Sequence, residues 1–406
     1  MYLYIARLAL SVFYPGHFGM IQDIRPVFSR RKSIYGKQGG YVLLSMPDAF
    51  LTTYLNDAIK KLIKDVLKGT LSNRKETAFL LFQARQQREN AKRRSAHPNM
   101  PVFLIASITS ACNLHCAGCY ARATGMCGDE KPAGAEPMSV PEWENIFLQA
   151  EGLGISFILL AGGEPLLRRD LIEAAAGHSS IIFPIFTNGT LIDDAYTKLF
   201  DENRNLVPVI SIEGGIEETD ARRGSGTYTS ILASMGRLRE GKILFGVSVT
   251  ITTENLAEVT SAAFLDLLRD QGCRLVFYIE YTAIDHGSKE MELDAARREE
   301  LEGKMTGIKS AYPGMVFISF PGDEKHMGGC LAGGRGFFHI NPYGSAEPCP
   351  FSPYSDRNLR NVSLLDAVNS PFFARLIDAG LVGGEHDGGC ALFEHEAEVI
   401  ALIDKE

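Results

Sequence analysis

The 406-residue chain contains no apolar stretch of the roughly 18 to 20 residues that a spanning helix needs. Its apolar start, Met1 to Tyr14, is interrupted by Arg7 and stops at Pro15-Gly16. With no basic n-region and no small-residue cleavage site, that start does not read as a secretory signal. Cysteine is scarce, eight in all, which excludes a secreted scaffold stapled by disulfides. There is no repeat of solenoid period and no low-complexity tract, so solenoid and compositionally disordered classes are excluded as well. A cytoplasmic protein is expected, with two to three domains at roughly 150 residues each.

Acidic residues are sparse at the front of the chain. Residues 1–98 hold 17 Lys+Arg against 6 Asp+Glu, a net of +11, which leaves −19 on residues 99–406 within the total of −8. A basic segment of this kind suits an anionic membrane, nucleic acid or the acidic remainder of its own chain, and charge alone does not choose. Residues 48 to 68 set Phe50, Leu51, Tyr54, Leu55, Ile59 and Leu62 at helical spacing opposite Lys60, Lys61, Lys64 and Lys68, and Gly69 ends the run. That is a basic amphipathic helix, the kind that lies on a membrane surface. A second helical run, 75 to 94, ends in Lys92-Arg93-Arg94, and His97-Pro98-Asn99 reads as a linker.

Six apolar runs then alternate with helical patterns: 102 to 109, 155 to 161, 181 to 186, 207 to 213, 243 to 251 and 274 to 280. Near-continuous apolar strands separated by helices predict an α/β fold with a parallel sheet, doubly wound or curved into an incomplete barrel. Chemistry in such folds sits at the carboxyl ends of the strands. From about residue 322 the chain becomes Gly/Pro-rich, with a predicted hairpin around FFHINPYGSAEPC and a helical stretch near 363 to 378. Three regions follow: 1–98, 99–320 and 321–406.

Cys112, Cys116 and Cys119 form C-x3-C-x2-C just past the first strand, so one loop delivers three thiolates to the strand-end face. Three is one too few for a closed structural zinc site, whereas a [4Fe-4S] cluster held by three thiolates keeps one iron open. The run CNLHCAGCY resembles the cluster loop of the radical S-adenosylmethionine (radical SAM) superfamily, and four further segments match that family in order. These are Gly162-Gly163-Glu164-Pro165, Thr187-Asn188-Gly189, Ser211-Ile212-Glu213-Gly214 and Arg222 to Tyr228. The resemblance implies a partial (β/α)6 TIM-like barrel that binds a [4Fe-4S] cluster and SAM. It further implies that Gly162, Gly163 and Glu164 hold the SAM amino group, with Asn188, Ser211, Glu213, Arg223 and Ser248 as further cofactor contacts. An electron injected into the bound sulfonium would release a 5′-deoxyadenosyl radical that abstracts hydrogen from substrate. The family has an aromatic residue before the third cysteine, near the adenine; this chain has Gly118, and Tyr120 is the neighbouring aromatic.

Cys330, Cys349 and Cys390, in CLAGGRGFFHINPYGSAEPC and GGCALF, resemble the C-terminal extension called SPASM or, in its short form, twitch. Three cysteines support one auxiliary [4Fe-4S] cluster, with zinc or a structural role as the alternative. His386, Asp387, Glu394 and His395 flank Cys390 and are candidates for a fourth ligand, and Gly344 fits the hairpin turn. Cys273 reads as packing and Cys127 as a candidate catalytic thiol. Tyr278, Glu280 and Tyr281 end the sixth strand toward the substrate side, with Glu280 as the candidate general base.

The expected function is radical SAM modification of a peptide, protein or small metabolite, supplied with electrons by a reductant such as flavodoxin or ferredoxin. A lipid or membrane-resident substrate, with peripheral contact at the inner face of the membrane, is the alternative that residues 48 to 68 motivate. A non-catalytic iron-sulfur scaffold or electron carrier gives GGEP and SIEG no role. No nucleic-acid partner is expected.

Overall fold

The computed structural model describes residues 74–97, 99–128, 136–284, 288–383 and 390–403. The apolar start, the amphipathic run 48 to 68, His386 and Asp387 lie outside the described residues. Among the described residues no helix is long and apolar enough to cross a membrane.

Among the described residues nine strands form one sheet in the order β7-β6-β5-β4-β3-β2-β1-β8-β9. β1 (Phe103–Ser107), β2 (Phe157–Ala161), β3 (Phe183–Thr187), β4 (Leu206–Ser211), β5 (Gly246–Ile251), β6 (Leu275–Glu280) and β7 (Val316–Phe320) run parallel. The six predicted runs are therefore strands, and a seventh, VFISF, joins them beside β6. The sheet is an open, partial barrel rather than a closed one, with β7 and β9 as its edges.

Local sequence explains the helices that wrap it. Helix Val140–Leu153 starts at a capping box between Ser139 and Glu142, has Pro141 in its first turn, and stops at Gly154 in the left-handed region (φ 80°). It buries Trp143, Ile146, Phe147 and Ala150 at helical spacing. Truncating Phe147 to Ala there should cost about 3–5 kcal/mol.

Helix Arg74–Arg94 closes the opposite end of the barrel from the cysteine loop, and it does so with a buried polar stripe. Glu76, Gln83, Gln87 and Asn90 are all buried. Asn90 Nδ2 donates to the Ser180 carbonyl (3.2 Å), and Gln87 Oε1 accepts from Ser156 Oγ (2.6 Å). Glu76 pairs with the buried Arg204 (3.1 Å). These partners lie just ahead of β2, β3 and β4. This part of the basic region thus docks on its own chain.

The C-terminal segment is stitched into the same sheet. β8 (His339–Ile340) pairs parallel with β1, and β9 (Ala346–Glu347) pairs antiparallel with β8 through the predicted hairpin, whose Gly344 has φ 90°. A fully buried chain Ser107–His339–Glu347 fastens it, with Ser107 Oγ 2.8 Å from His339 Nε2 and Glu347 Oε2 2.7 Å from Nδ1. The predicted helical stretch 363 to 378 is two helices, Leu364–Val368 and Pro371–Asp378. Ser370 interrupts it and caps the second by accepting from the Phe373 amide.

Candidate active site

The loop that follows β1 carries Cys112, Cys116 and Cys119, all half-buried, to the carboxyl end of the sheet. The loop after β2 lies directly against it. A Cβ on Gly162 would stand 2.3 Å from the Thr109 carbonyl oxygen, and one on Gly163 only 2.1 Å from that of Ala111. Those two carbonyls accept from the Gly163 and Glu164 amides (2.8 Å each). The paired glycines are thus what lets the GGE turn seat on the cysteine loop.

Glu164 is buried, and its carboxylate ties two strand ends together. Oε1 accepts from Thr187 Oγ1 (2.6 Å) and the Leu166 amide (3.0 Å), while Oε2 accepts from the Asn188 amide (2.8 Å). Burial pushes its pKa up to about 7 against the pull of those donors. Asn188 Nδ2 donates to Asn113 Oδ1 (2.8 Å), which locks the β3 loop to the cysteine loop.

The predicted contacts divide into those on the cavity and those behind it. A cavity of about 510 Å3 is lined by Cys112, Cys116, Cys119, Gly162, Gly163 and Glu164. Asn188, Ser211, Arg223, Ser248, Tyr120, Glu280 and Tyr281 line it too. Glu213 does not. Its Oε1 accepts from Arg223 Nε (2.9 Å) and pairs with Arg222 (2.9 Å), and Oε2 accepts from the Thr250 amide (3.1 Å). Its part is to aim the two arginines. Cys127, the candidate catalytic thiol, is buried against Cys112 and absent from the cavity wall. Its hydrogen bond lowers the Cys112 thiol to about 6. Tyr278 also points away from the cavity, because its hydroxyl donates to the Val259 carbonyl (2.6 Å) in the helical layer. Glu280 remains on the wall, buried and paired with Arg298 (3.0 Å). Cys273 packs as expected, buried with its thiol 3.2 Å from the Leu275 carbonyl.

Gly118 has a spatial answer. A Cβ built on it (φ 63°) would lie 2.6 Å from Tyr281 Oη and 2.8 Å from Tyr281 Cε2, so that ring fills the space a side chain at 118 would take. Arg222 sits 6.0 Å from the ring centroid, and its Nε donates to the Ala117 carbonyl (3.1 Å). The Ala117 amide donates back to the Arg222 carbonyl (2.9 Å). Arg222 thus clamps the cysteine loop, a role invisible in the sequence although the RRG run marked the position. Tyr120 turns the other way, its ring edge-on to Phe351 at 5.2 Å.

Cys330, Cys349 and Cys390 meet at a second, smaller cavity with Glu280 and Glu324. Cys349 also lines the large one. The Cys349 thiol donates to Cys390, which lowers Cys390, while burial raises Cys330. Of the two described fourth-ligand candidates, neither lines this cavity, and His395 Nδ1 instead meets Glu398 Oε1 at 3.0 Å. Among the described residues no three His, Cys, Asp or Glu side chains are arranged around a single metal ion. A multi-iron cluster binds its thiolates at separate corners and needs no such convergence.

The sequence matches the Radical SAM superfamily over residues 106–265, the stretch that carries the cysteine loop and strands β2 to β5. The chain carries a radical SAM domain. It is 25% identical to the AdoMet-dependent heme synthase of Methanosarcina barkeri over 335 residues, 74% of this chain and 90% of that one. Identity to the PqqA peptide cyclase of Rhizobium meliloti is 27% over 262 residues, 61% and 67% of the two chains. The fold is also that of Streptococcus suis SuiB bound to its precursor peptide SuiA. The TM-score is 0.55 at 18% identity, covering 72% of this enzyme and 70% of SuiB.

Proposed function

We propose that this radical SAM enzyme modifies a peptide or small metabolite held in the large cavity, with residues 99–320 as the catalytic barrel and 321–406 carrying one auxiliary [4Fe-4S] cluster. Cys112, Cys116 and Cys119 would hold a [4Fe-4S] cluster, which together with SAM and an electron from a flavodoxin or ferredoxin would supply radical hydrogen-abstraction chemistry. The observation that carries this reading is the shared wall: one cavity is lined by the first three cysteines and by Cys349 of the second set. A substrate lying there touches both.

The chain's own groups divide the work. Glu164 uses three of the roughly four acceptor positions of a carboxylate within the fold, leaving one on Oε2 for the SAM ammonium. Gly162 and Gly163 offer backbone beside it, and Asn188, Ser211, Ser248 and Arg223 line the nucleoside side. Tyr281, standing where the family's aromatic side chain would be, takes over the adenine contact, and Tyr120 serves the wall toward Cys349. Glu280, on the cavity wall and paired with Arg298 at 3.0 Å, is the proton acceptor. Deeper in, Phe103, Phe157, Phe186 and Phe277 make the cavity apolar, which keeps water and competing hydrogen donors from the radical and favours an apolar reacting group.

The test is anaerobic reconstitution followed by reduction with SAM. 5′-Deoxyadenosine should form without substrate, and its absence defeats the reading. Mass spectrometry of extracts from a deletion strain and its parent, split into peptide, polar and lipid fractions, then locates the substrate. A change in the lipid fraction alone would replace the peptide or metabolite reading with the membrane one.

A further inference from the structure

We infer that Glu324 is the fourth terminal ligand of the iron-sulfur group held by Cys330, Cys349 and Cys390, an inference that rests on the auxiliary-cluster reading above. Three thiolates leave one iron of a four-iron cluster without a protein ligand. Among the described residues, three other polar side chains line the cavity where these cysteines meet: Glu280, Thr282 and Glu324. Glu280 is engaged by Arg298 at 3.0 Å. Thr282 offers a neutral alcohol, a weak ligand for iron beside a carboxylate.

Glu324 has the remaining credentials. It is only 3% exposed, and Oε1 accepts from the Leu331 amide at 3.0 Å. Oε2 has no hydrogen-bond partner among the described residues. Burying a carboxylate costs free energy unless positive charge compensates it; Arg335 supplies part of that charge, and an iron at the cavity would supply more. The backbone fixes the carboxylate relative to the thiolates. The Gly329 amide donates to the Glu324 carbonyl (3.1 Å), so Glu324 and Cys330 belong to one folded turn, and Arg335 holds the Cys330 carbonyl from the other side. With the fourth corner closed by the chain, no iron is open to substrate. The auxiliary group would then serve to accept an electron from the substrate radical as that radical is oxidised to product, and it would not anchor the reactant.

The decisive measurement uses full-length protein with Cys112, Cys116 and Cys119 replaced by Ala, so that only the second set loads iron. Protein grown with glutamate 13C-labelled at the side-chain carboxyl is reduced and examined by 13C electron-nuclear double resonance. A 13C coupling to the cluster is expected with Glu324 present. It should vanish in Glu324→Cys, which supplies a thiolate and keeps about four irons per chain. No coupling in the parent, or coupling that persists in Glu324→Cys, overturns the assignment. If the parent holds zinc or no iron, the auxiliary-cluster reading itself fails and takes this inference with it.

Discussion

Cys112, Cys116 and Cys119 reach their site from one loop of eight residues, whereas Cys330, Cys349 and Cys390 come from three segments spread over 61 residues. The first set is shaped by neighbouring backbone: the GGE turn beneath it, Asn113 to Asn188 beside it, and Arg222 across Ala117. The second set exists only once the hairpin, the turn at Glu324 and the segment before helix Ala391–Glu394 have docked together. A site built from one loop tolerates a loosened fold; a site built from three segments reports on it.

The largest effect that tests this contrast comes from removing each set. Replacing Cys112, Cys116 and Cys119 with Ala should abolish 5′-deoxyadenosine formation and halve the iron content. Replacing Cys330, Cys349 and Cys390 should halve the iron yet leave substrate-free SAM cleavage in place. Equal loss of cleavage in both, by chromatography of the nucleoside, would erase the distinction.

The next effect isolates the first site. Tyr281→Ala should weaken SAM binding by roughly 5- to 150-fold, the value of about 1–3 kcal/mol for an aromatic stacked on a base, while Tyr281→Phe keeps the affinity. Calorimetry with SAM reads this directly, and the iron of the second set should not change. Unaltered affinity in Tyr281→Ala would return the adenine contact to some other residue.

A smaller effect follows from Glu164. Only the ionised carboxylate accepts from the SAM ammonium, and in the SAM-free protein its pKa lies near 7, so affinity should rise about tenfold between pH 6 and pH 8. Glu164→Gln should flatten that profile. Stability runs the opposite way. The folded pKa is raised, so the contribution of protonated Glu164 is complete below its unfolded value and is lost as pH rises through about 7. A pH-independent Kd in the wild type would remove Glu164 from SAM recognition.

The smallest effect probes the second site through its anchor. Ser107→Ala takes away one partner of His339 in a fully buried chain and should cost about 1 kcal/mol. On heating, iron should leave the second set at a lower temperature than in wild type, with release from the first set unchanged. Simultaneous earlier release from both would show that the two sites share one unfolding unit.

Much of this was legible because it is local. Strands β1 to β6 show as apolar runs, and the first cysteine loop, GGEP and the TNG turn each lie within a few residues. β7 escaped notice because VFISF borders the Gly/Pro-rich region, and β8 and β9 have two residues each, too few for any period. The role of Glu213 was misread for a different reason: it lies in a motif that contacts the cofactor side, but Arg222 and Arg223, both beyond the next turn in sequence, fold between it and the cavity. Tyr278 sits one residue out of phase with Phe277 and Ile279, and alternation along a strand sends it to the helical layer. Tyr281 was legible as a strand-end residue on the substrate side, but its packing against Gly118 was not, and Glu324 leaves no local trace, since each gains its meaning from a distant partner, Gly118 for one and Cys349 with Cys390 for the other.

The pairing of Ile105 with His339 carries a consequence for biosynthesis. β1 bears the first cysteine loop, yet among the described residues its outer edge is covered by β8 alone. At roughly 5 to 20 residues per second, a ribosome needs roughly 10 to 50 s to make the intervening chain. For that interval the strand that leads into the iron site stands at the rim of the nascent sheet with free amides and carbonyls, the posture from which strands pair with the wrong neighbour. The hairpin is therefore also the end of a vulnerable period in synthesis, and a ribosome stalled before residue 339 leaves a chain with a formed cysteine loop and a sticky border.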